Sequence, residues 1–580
     1  MSHTLLNELR QFVIDELTAS QHQLFEGWDR PLNEKLLSGH TQAFTHLEEG
    51  IEHNSVWAYL DPACESRFRE GDMLCLHTGD PHDRFLKQLI LDEEQENRWL
   101  LTGMSIPPAS WQPHAHRKVY ADTDMLDLSG MFAKAIDEVA ESAIGRRLIL
   151  PLLNGDIAAD TLNTTDYDHA AELAESPPHH CNDNQVEAVG WACGATHMAC
   201  IQGPPGTGKT RVLALIAKIL VDRGERVLVT SHTHMAINNA LNKIHDHNLP
   251  VIKIGRTTAT KGLRAEVESF ERIDEWEERP SHDGYVIGAT PFATCTPRLE
   301  TCQFNTVIFD EASQITMPLA VMAMRKATRF IFIGDHKQLP PVVTSRSVLD
   351  PESPSVFAKL MDEKRENVVS LYSTYRMNKT LTSWPSELFY HRQLTSCGNN
   401  AQRQFSLAQL PKQYAQILGR DHSLVFVESR QSGARTSNTA DAILVAELCS
   451  EAIDAGLDAS EIGIVAPFRN QGRRIRALLN QKLGAYTAKS IIADTVERMQ
   501  GQEREMIILC MTTTDPHFLQ LMAPFLFQPE RLNVSVTRAM TKTIIIGPVI
   551  DQYFSHDETV VHQWAQDYQA LVERCYKAEI

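Results

Sequence analysis

The segment Gly203-Pro204-Pro205-Gly206-Thr207-Gly208-Lys209-Thr210 constrains this chain more than any other, because of what flanks it. Before it, Met198-Ala-Cys-Ile-Gln202 is apolar enough to form a buried strand; after it, Val212, Leu215, Ile216 and Ile219 recur with helical spacing. Glycines between strand and helix let backbone N–H groups curl around the β- and γ-phosphates of a nucleotide at the positive end of the helix. Lys209 then reaches the β/γ-phosphates, and the Thr210 hydroxyl is placed for Mg²⁺. A chance match to so short a pattern would not bring strand, loop and helix in order.

A phosphate loop alone implies only nucleotide binding; the residues that follow imply hydrolysis between two domains. Thr306-Val-Ile-Phe309 is a short apolar strand that delivers Asp310 and Glu311 at its C-terminal end, where open α/β sheets place their ligands. Asp310 is the expected Mg²⁺ partner, and Glu311 the group that orients or deprotonates the attacking water. In isolation an Asp-Glu pair would read as the cap of the next helix. Transition-state charge calls for arginines from a second domain, and Arg376 in Thr374-Tyr-Arg-Met377 and Arg538 in Asn533-Val-Ser-Val-Thr-Arg538 are the candidates. Gln338, in Gly334-Asp335-His-Lys-Gln-Leu-Pro-Pro341, is positioned to sense the γ-phosphate. Gln185 is expected to read the adenine edge, Tyr375 to stack on the base, and Glu503 to accept a ribose hydroxyl.

The ordered set of Gln185, Gly203 to Thr210, Thr230-Ser-His-Thr-His234-Met-Ala, Asp310-Glu-Ala-Ser-Gln314, Gly334 to Pro341, Thr374 to Asn378, Met499-Gln-Gly-Gln-Glu503 and Asn533 to Ala539 resembles superfamily 1 helicases. Within them it is similar to the branch that contains the nonsense-mediated-decay RNA helicase and the helicase half of the eukaryotic Okazaki-fragment nuclease-helicase, and the Thr230–His234 and Tyr375–Asn378 stretches are nearer the latter. The match runs from about residue 180 to 548. The resemblance implies ATP and Mg²⁺ as cofactors, with catalysis by Lys209, Asp310, Glu311, Gln338, Arg376 and Arg538. It implies nucleotide contacts from Gln185, the loop itself, Tyr375 and Glu503, and strand contacts from Thr233, His234, Thr290 and Thr495. Two positions depart from the family pattern: Gln502, where arginine or lysine is frequent, and Lys379 after Asn378. Both bear on nucleic-acid contacts and neither on the chemistry.

The net charge of −19 argues against indiscriminate binding to nucleic acid, since repulsion from phosphate is long-ranged. A local basic groove is compatible with it, with Lys253, Arg256, Lys261, Arg264 and the cluster Arg469, Arg473, Arg474 and Arg476 as candidates. Eleven scattered cysteines without a CxxC pair read as reduced thiols, and His179-His180-Cys181 as linker rather than a metal site. The amphipathic start of the chain and the lack of a ~20-residue apolar run point to a soluble protein away from membranes. It is expected in the cytoplasm, on the nucleoid or, in a eukaryote, in the nucleus.

The expected fold is α/β: two tandem RecA-like P-loop domains preceded by a helical stalk and a small β-barrel. Residues 4 to 17 and 129 to 147 have helical periodicity, and strand-like runs at Phe68–His77, Phe85–Leu91 and Arg98–Thr102, with an Asp92-Glu-Glu-Gln-Glu turn, suggest a barrel at about 50–120. The boundaries expected are stalk and barrel 1–160, linker 161–180, first RecA-like domain 181–345, second 346–556 and a C-terminal helix 557–580. Residues Glu266 to Arg279 read as a polar helix. Neither the 101 positions between Lys209 and Asp310 nor the 162 between Arg376 and Arg538 hold the large insertions of the superfamily's 3′→5′ branch, so resemblance favours the 5′→3′ branch.

Three functions fit these residues. The first is a monomeric ATPase that translocates on single-stranded DNA, or RNA, and unwinds duplex. The second is an ATP-gated clamp that binds nucleic acid without unwinding. The third is the motor subunit of a repair or phage-defence assembly whose nuclease is a partner, since Asn154-Gly-Asp156 lacks the Glu-x-Lys that would complete a nuclease site nearby.

Overall fold

The computed structural model describes residues 2–50, 54–62, 64, 66–95, 97–156, 161–256, 259–281, 283–345, 355–361, 366–499, 501–550 and 560–579. Gln500, the last positions of the expected stalk and barrel at 157–160, the expected start of the second domain at 346–354 and the first positions of the C-terminal segment at 557–559 lie outside them. Two compact units divide the chain: Met1–Leu150 with Val342–Pro354, and Pro151–Pro341 with Ser355–Ile580.

In the first unit the opening helix runs Ser2–Trp28, longer than its periodic stretch, and buries Leu5, Leu6, Leu9 and Phe12. It packs on the helix Ser129–Glu141, where Arg10 reaches Asp137 at 2.7 Å. Between them, β1 (Thr41–Glu49), β2 (Ser55–Leu60), β3 (Met73–His77), β4 (Leu86–Glu94), β5 (Arg98–Thr102) and β6 (Val119–Thr123) close into a barrel in the order β1-β2-β5-β4-β3-β6. Phe44, Val56, Leu74, Leu101 and Ala121 fill it. The run at Asp92, Glu93 and Glu94 is not a turn: β4 continues through it, because Glu93 and Glu94 pair with Leu100 and Trp99 of β5 while their carboxylates stay in solvent.

The second unit contains two all-parallel sheets. The first comprises β7 (Met198–Gln202), β8 (Arg226–Thr230), β9 (Val251–Ile254), β10 (Glu268–Phe270), β11 (Tyr285–Gly288), β12 (Thr306–Phe309), β13 (Arg329–Gly334) and β14 (Val368–Ser370), in the order β10-β9-β11-β8-β12-β13-β7-β14. After a two-residue pair, β15 (Ser373–Thr374) and β16 (Thr395–Ser396), the second sheet follows. It is built from β17 (Leu424–Glu428), β18 (Ile462–Val465), β19 (Ile492–Asp494), β20 (Arg504–Cys510), β21 (Ala539–Gly547) and β22 (Tyr576–Lys577), ordered β19-β18-β20-β21-β17-β22. Helices on the faces make the inner strands of such sheets nearly continuous apolar runs, as in Phe330–Ile333 and Ile544–Ile546. This is the α/β, tandem RecA-like architecture the motifs implied.

Four local expectations are corrected. The linker 161–180 contains a helix, Thr164–Glu175, capped by Asn163; it buries Ala170 and Ala174 against the helix Asp183–Gly194. Gly190 and Gly194 make that approach possible, because a Cβ on Gly190 would stand 2.7 Å from the Tyr167 ring. The Glu266–Arg279 segment is not a polar helix: β10 pairs with β9, a short 3₁₀ turn follows at Ile273–Glu275, and Val267, Ile273 and Trp276 anchor it in the core. Residues 368–370, expected in the second domain, form β14 and pair with β7, so the first sheet extends past position 345. After the helix Val560–Arg574, Tyr576 and Lys577 add β22 to the second sheet rather than ending in helix.

Candidate active site

Three adjacent strands carry the chemistry to one edge. β13 lies between β12 and β7, so the phosphate loop after β7, the acids after β12 and Gly334-Asp335 at the end of β13 emerge side by side at the carboxyl end of the sheet. The loop needs glycine where it turns: Gly206 and Gly208 have φ of +74° and +86°, in the left-handed region. Gly208 then caps the helix Lys209–Asp222. Thr207 donates its hydroxyl to the Pro204 carbonyl at 2.8 Å, and Lys209 Nζ donates to the Gly203 carbonyl at 2.5 Å.

Burial raises the Asp310 carboxyl to about 7; the adjacent Glu311 adds to the shift and Lys209 opposes it. Lys209 lies near enough to oppose that shift, so Asp310 stands beside the phosphate loop, where a hard divalent cation would favour its charged form. Glu311 adopts φ +50° as it leaves β12, which turns its side chain out of the strand direction. Among the described residues no cluster of three or more His, Cys, Asp or Glu could hold a metal by itself.

Residues from the second sheet's domain close over the loop. Thr374 donates to the Pro205 carbonyl at 2.8 Å, and the Tyr375 backbone N–H donates to the Gly206 carbonyl at 2.8 Å. A Cβ on Gly206 would meet Arg376 Cβ at 2.4 Å, so only glycine fits there. Asn182 donates to the Tyr375 hydroxyl at 2.9 Å. Gln185 is buried in a capping box with Asn182, and its Nε2 donates to the Thr207 carbonyl at 3.0 Å, so its amide is already fixed against the loop. Arg376 Nε pairs with Glu503 at 2.6 Å and its Nη1 donates to the Thr537 carbonyl at 3.0 Å.

Arg538, only 3% exposed, donates Nη2 to Gln338 Oε1 at 3.3 Å and Nε to the Val534 carbonyl at 3.1 Å. Burial and the neighbouring Arg376 lower its guanidinium to about 9, against the attraction of Glu311. Gln338 Nε2 in turn donates to Asp335 at 2.6 Å, and Asp335 also receives Gln202 at 2.5 Å and Tyr390 at 2.7 Å. The structure therefore brings Gln185, Lys209, Asp310, Glu311, Gln338, Tyr375, Arg376, Glu503 and Arg538 around one cleft. Sequence reading gave no role to Gln202, Tyr390 or Asn533. A buried glutamine ending the apolar run Met198–Gln202 was the available signal for the first; Tyr390, in Leu388-Phe389-Tyr390, reads as ordinary core.

The expected strand contacts are not brought together in this way. Thr233 caps the helix His234–His245 by accepting the Ala236 N–H at 3.2 Å. Burial, with Lys253, Arg256 and Arg298 nearby, lowers the His234 imidazole to about 4, so it is neutral. Thr290 precedes the 3₁₀ turn Pro291–Cys295 and makes no cap hydrogen bond, and the Thr495 N–H closes on Asp494 at 2.7 Å. Lys253 is not a groove residue: it is fully buried and donates to the Ala259 carbonyl, and burial lowers its ammonium to about 8. Arg264 pairs with Asp246 at 2.6 Å, Arg474 bonds Thr439 and Arg476 the Ala493 carbonyl.

Two family models described as AAA domain match the chain, over residues 180–389 and 353–549. The DNA replication ATP-dependent helicase/nuclease DNA2 of Saccharomyces cerevisiae is 31% identical over 63% of this chain and 26% of its own length. The corresponding protein of Schizosaccharomyces pombe is 28% identical over 63% of this chain and 27% of its own. The chain thus spans about a quarter of the length of these relatives. A solved arterivirus nonstructural protein 10 (helicase) aligns at 13% identity and a TM-score of 0.38, over 90% of this chain and 82% of that one, too slight a likeness to build on. Among the described residues no helix is long and apolar enough to cross a membrane.

Proposed function

We propose that this chain, a superfamily 1B helicase related to the helicase half of the DNA replication helicase/nucleases, is an ATP-driven motor that moves 5′→3′ along a single strand, DNA before RNA, and separates duplex ahead of it. The observation that carries this reading is the buried hydrogen-bonded path from Asp335 through Gln338 to Arg538, which joins the nucleotide edge of the first sheet to an arginine of the second domain. A site made only to bind nucleotide has no use for an arginine that costs so much to desolvate.

In this reading the loop amides and Lys209 hold the β- and γ-phosphates, Gln185 reads the adenine edge, Tyr375 stacks on the base and Glu503 accepts a ribose hydroxyl. Thr210 and Asp310 would hold Mg²⁺, which would supply charge neutralisation at the phosphates. Glu311 takes the proton of the attacking water, while Arg376 and Arg538 stabilise charge developing on the γ-phosphate. Arg376 has to exchange Glu503 for phosphate to do so, which ties ribose-side binding to arrival of the arginine. Cleft closure on ATP and reopening after hydrolysis then drive the two motor domains, residues 181 to about 370 and about 371 to 577, along a strand gripped through Thr233, His234, Thr290 and Thr495. The motor acts as a monomer, and a nuclease is among the protein partners this reading gives it.

Steady-state ATPase with no nucleic acid, single-stranded DNA, single-stranded RNA and duplex, followed by strand displacement on substrates with 5′ or 3′ tails, tests this. Stimulation by single-stranded DNA and displacement from 5′ tails are expected. ATP-dependent strand binding without displacement would make the chain a clamp, and displacement from 3′ tails would reverse its polarity.

A further inference from the structure

Asp335 is tied to the second domain twice. One tie runs through Gln338 to Arg538, at 2.6 and 3.3 Å. The other runs through Tyr390, whose hydroxyl donates to Asp335 Oδ2 at 2.7 Å and accepts from Asn533 Nδ2 at 2.9 Å. Asn533 sits on the helix Pro529–Val536, which leads directly into Arg538. The two ties therefore close a ring: Asp335, Gln338, Arg538, the helix, Asn533, Tyr390 and Asp335 again.

Every member is withdrawn from solvent. Asp335 and Asn533 are fully buried, and Tyr390 packs in the second domain's core with Trp384, Phe389 and Leu424. The Asn533 amide is oriented by a second bond, from Nδ2 to the Lys337 carbonyl at 2.8 Å, so the tie also reaches the residue next to Gln338. Asp335 Oδ1 is held separately, by Gln202 at 2.5 Å and the Lys337 N–H at 3.1 Å. The carboxylate thus keeps its place without Tyr390, whereas Asn533 ties the helix under Arg538 to the first domain directly at the Lys337 carbonyl and, through Tyr390, at Asp335.

We infer that Tyr390 is a positioning residue for ATP turnover: its hydroxyl sets the helix that carries Arg538 against Asp335, so that Gln338 and Arg538 meet the γ-phosphate in register. The inference rests on the ATPase reading above and adds to it the residue that couples the γ-phosphate sensor to the arginine. Tyr390 touches no substrate. Its effect belongs on the turnover step, because the ground-state contacts of Lys209, Gln185 and Tyr375 do not pass through it.

The test is Tyr390→Phe, which keeps the ring and removes only the hydroxyl. Losing a hydrogen bond to a charged partner is expected to lower kcat of the strand-stimulated ATPase by at least about tenfold. KM for ATP should stay within about twofold, since uniform binding is untouched. Asn533→Ala should lower kcat in the same way, and the double variant should be no slower than the slower single one, because both cut the same tie. A kcat equal to wild type in Tyr390→Phe overturns the inference, as does a rise in KM alone or a double variant whose losses multiply. Wild-type protein without ATPase activity on any nucleic acid would overturn the functional reading, and Tyr390's part in turnover with it; normal wild-type turnover with an unaffected Tyr390→Phe overturns the positioning role alone.

Discussion

In the cleft, Asp335 accepts hydrogen bonds from Gln202, 133 positions earlier in the chain, and from Tyr390, 55 positions later. At the loop expected to grip a strand, Thr233 accepts from Ala236, three positions on. Both are polar groups on loops at the carboxyl edge of one parallel sheet. The first set spends its hydrogen bonds on distant partners and is buried to do so; the second is satisfied locally. Buried polar groups need partners, and a long-range network holds one geometry. A phosphate backbone that must slide is better served by groups free to exchange. If that contrast is right, substitutions in the cleft cut turnover by orders of magnitude, whereas substitutions at the loops change local stability or binding by small factors.

The largest effect belongs to Arg538. Arg538→Ala should lower ATPase kcat by about 10³–10⁵-fold with little change in KM for ATP, read from steady-state kinetics with single-stranded DNA. A large loss of ATP affinity with kcat kept would make Arg538 a ground-state binder and weaken the contrast at its strongest point. Glu311→Gln comes next, with about 10²–10⁴-fold slower hydrolysis as the loss of a general base. ATP-dependent strand binding should persist or tighten, since Lys209 and the loop amides remain; normal turnover would show that another group takes the proton.

How much of this was legible beforehand follows from where each constraint lies. The loop, the acids and the arginines were readable because their chemistry fixes residue types within a few positions, as in Gly203 to Thr210 or Asp310-Glu311. Tyr390 was not, because its partners Asp335 and Asn533 come from other elements and an aromatic after Phe389 has core packing as its ordinary explanation. The helix Thr164–Glu175 was hidden by flanking polar residues: its two buried alanines, Ala170 and Ala174, make a weak periodic signal, and the glycines that admit Tyr167 lie on the next helix. The Glu266–Arg279 segment misled for the opposite reason, since charge at helix-like spacing concealed an edge strand paired to β9. Lys253 looked like a groove residue by charge alone; its position in β9, buried on both faces of a parallel sheet, is a tertiary fact.

Lys253 also sharpens the contrast through pH. Burial lowers its ammonium to about 8, below the 10.5 of an exposed lysine. Between these two values the unfolded chain holds a proton that the native state has released, so stability rises with pH across that window. Lys253→Met retains most of the stem and removes the titration. Urea unfolding at pH 8 and at pH 10 should show a smaller gain for the variant than for wild type, while the salt dependence of strand binding stays the same. A shallower salt slope, by about 0.7 for a lost single-strand phosphate contact, would return Lys253 to the binding surface.

The smallest effect is expected at Thr233. Its hydroxyl accepts the Ala236 N–H and so satisfies one of the free amides that open the helix His234–His245. Thr233→Ala should cost about 1 kcal/mol of stability, read as a shifted urea midpoint with an unchanged slope. Thr233→Ser keeps the acceptor and should recover most of it. A role as phosphate donor predicts a different pattern. A hydroxyl can donate to phosphate while accepting from the backbone, so a strand contact would appear as weaker single-strand affinity in Thr233→Ala at a stability matched by mild denaturant. Affinity equal to wild type assigns Thr233 to the cap alone, and leaves the grip on the strand to backbone amides and to exposed cations such as Lys261 and Arg469.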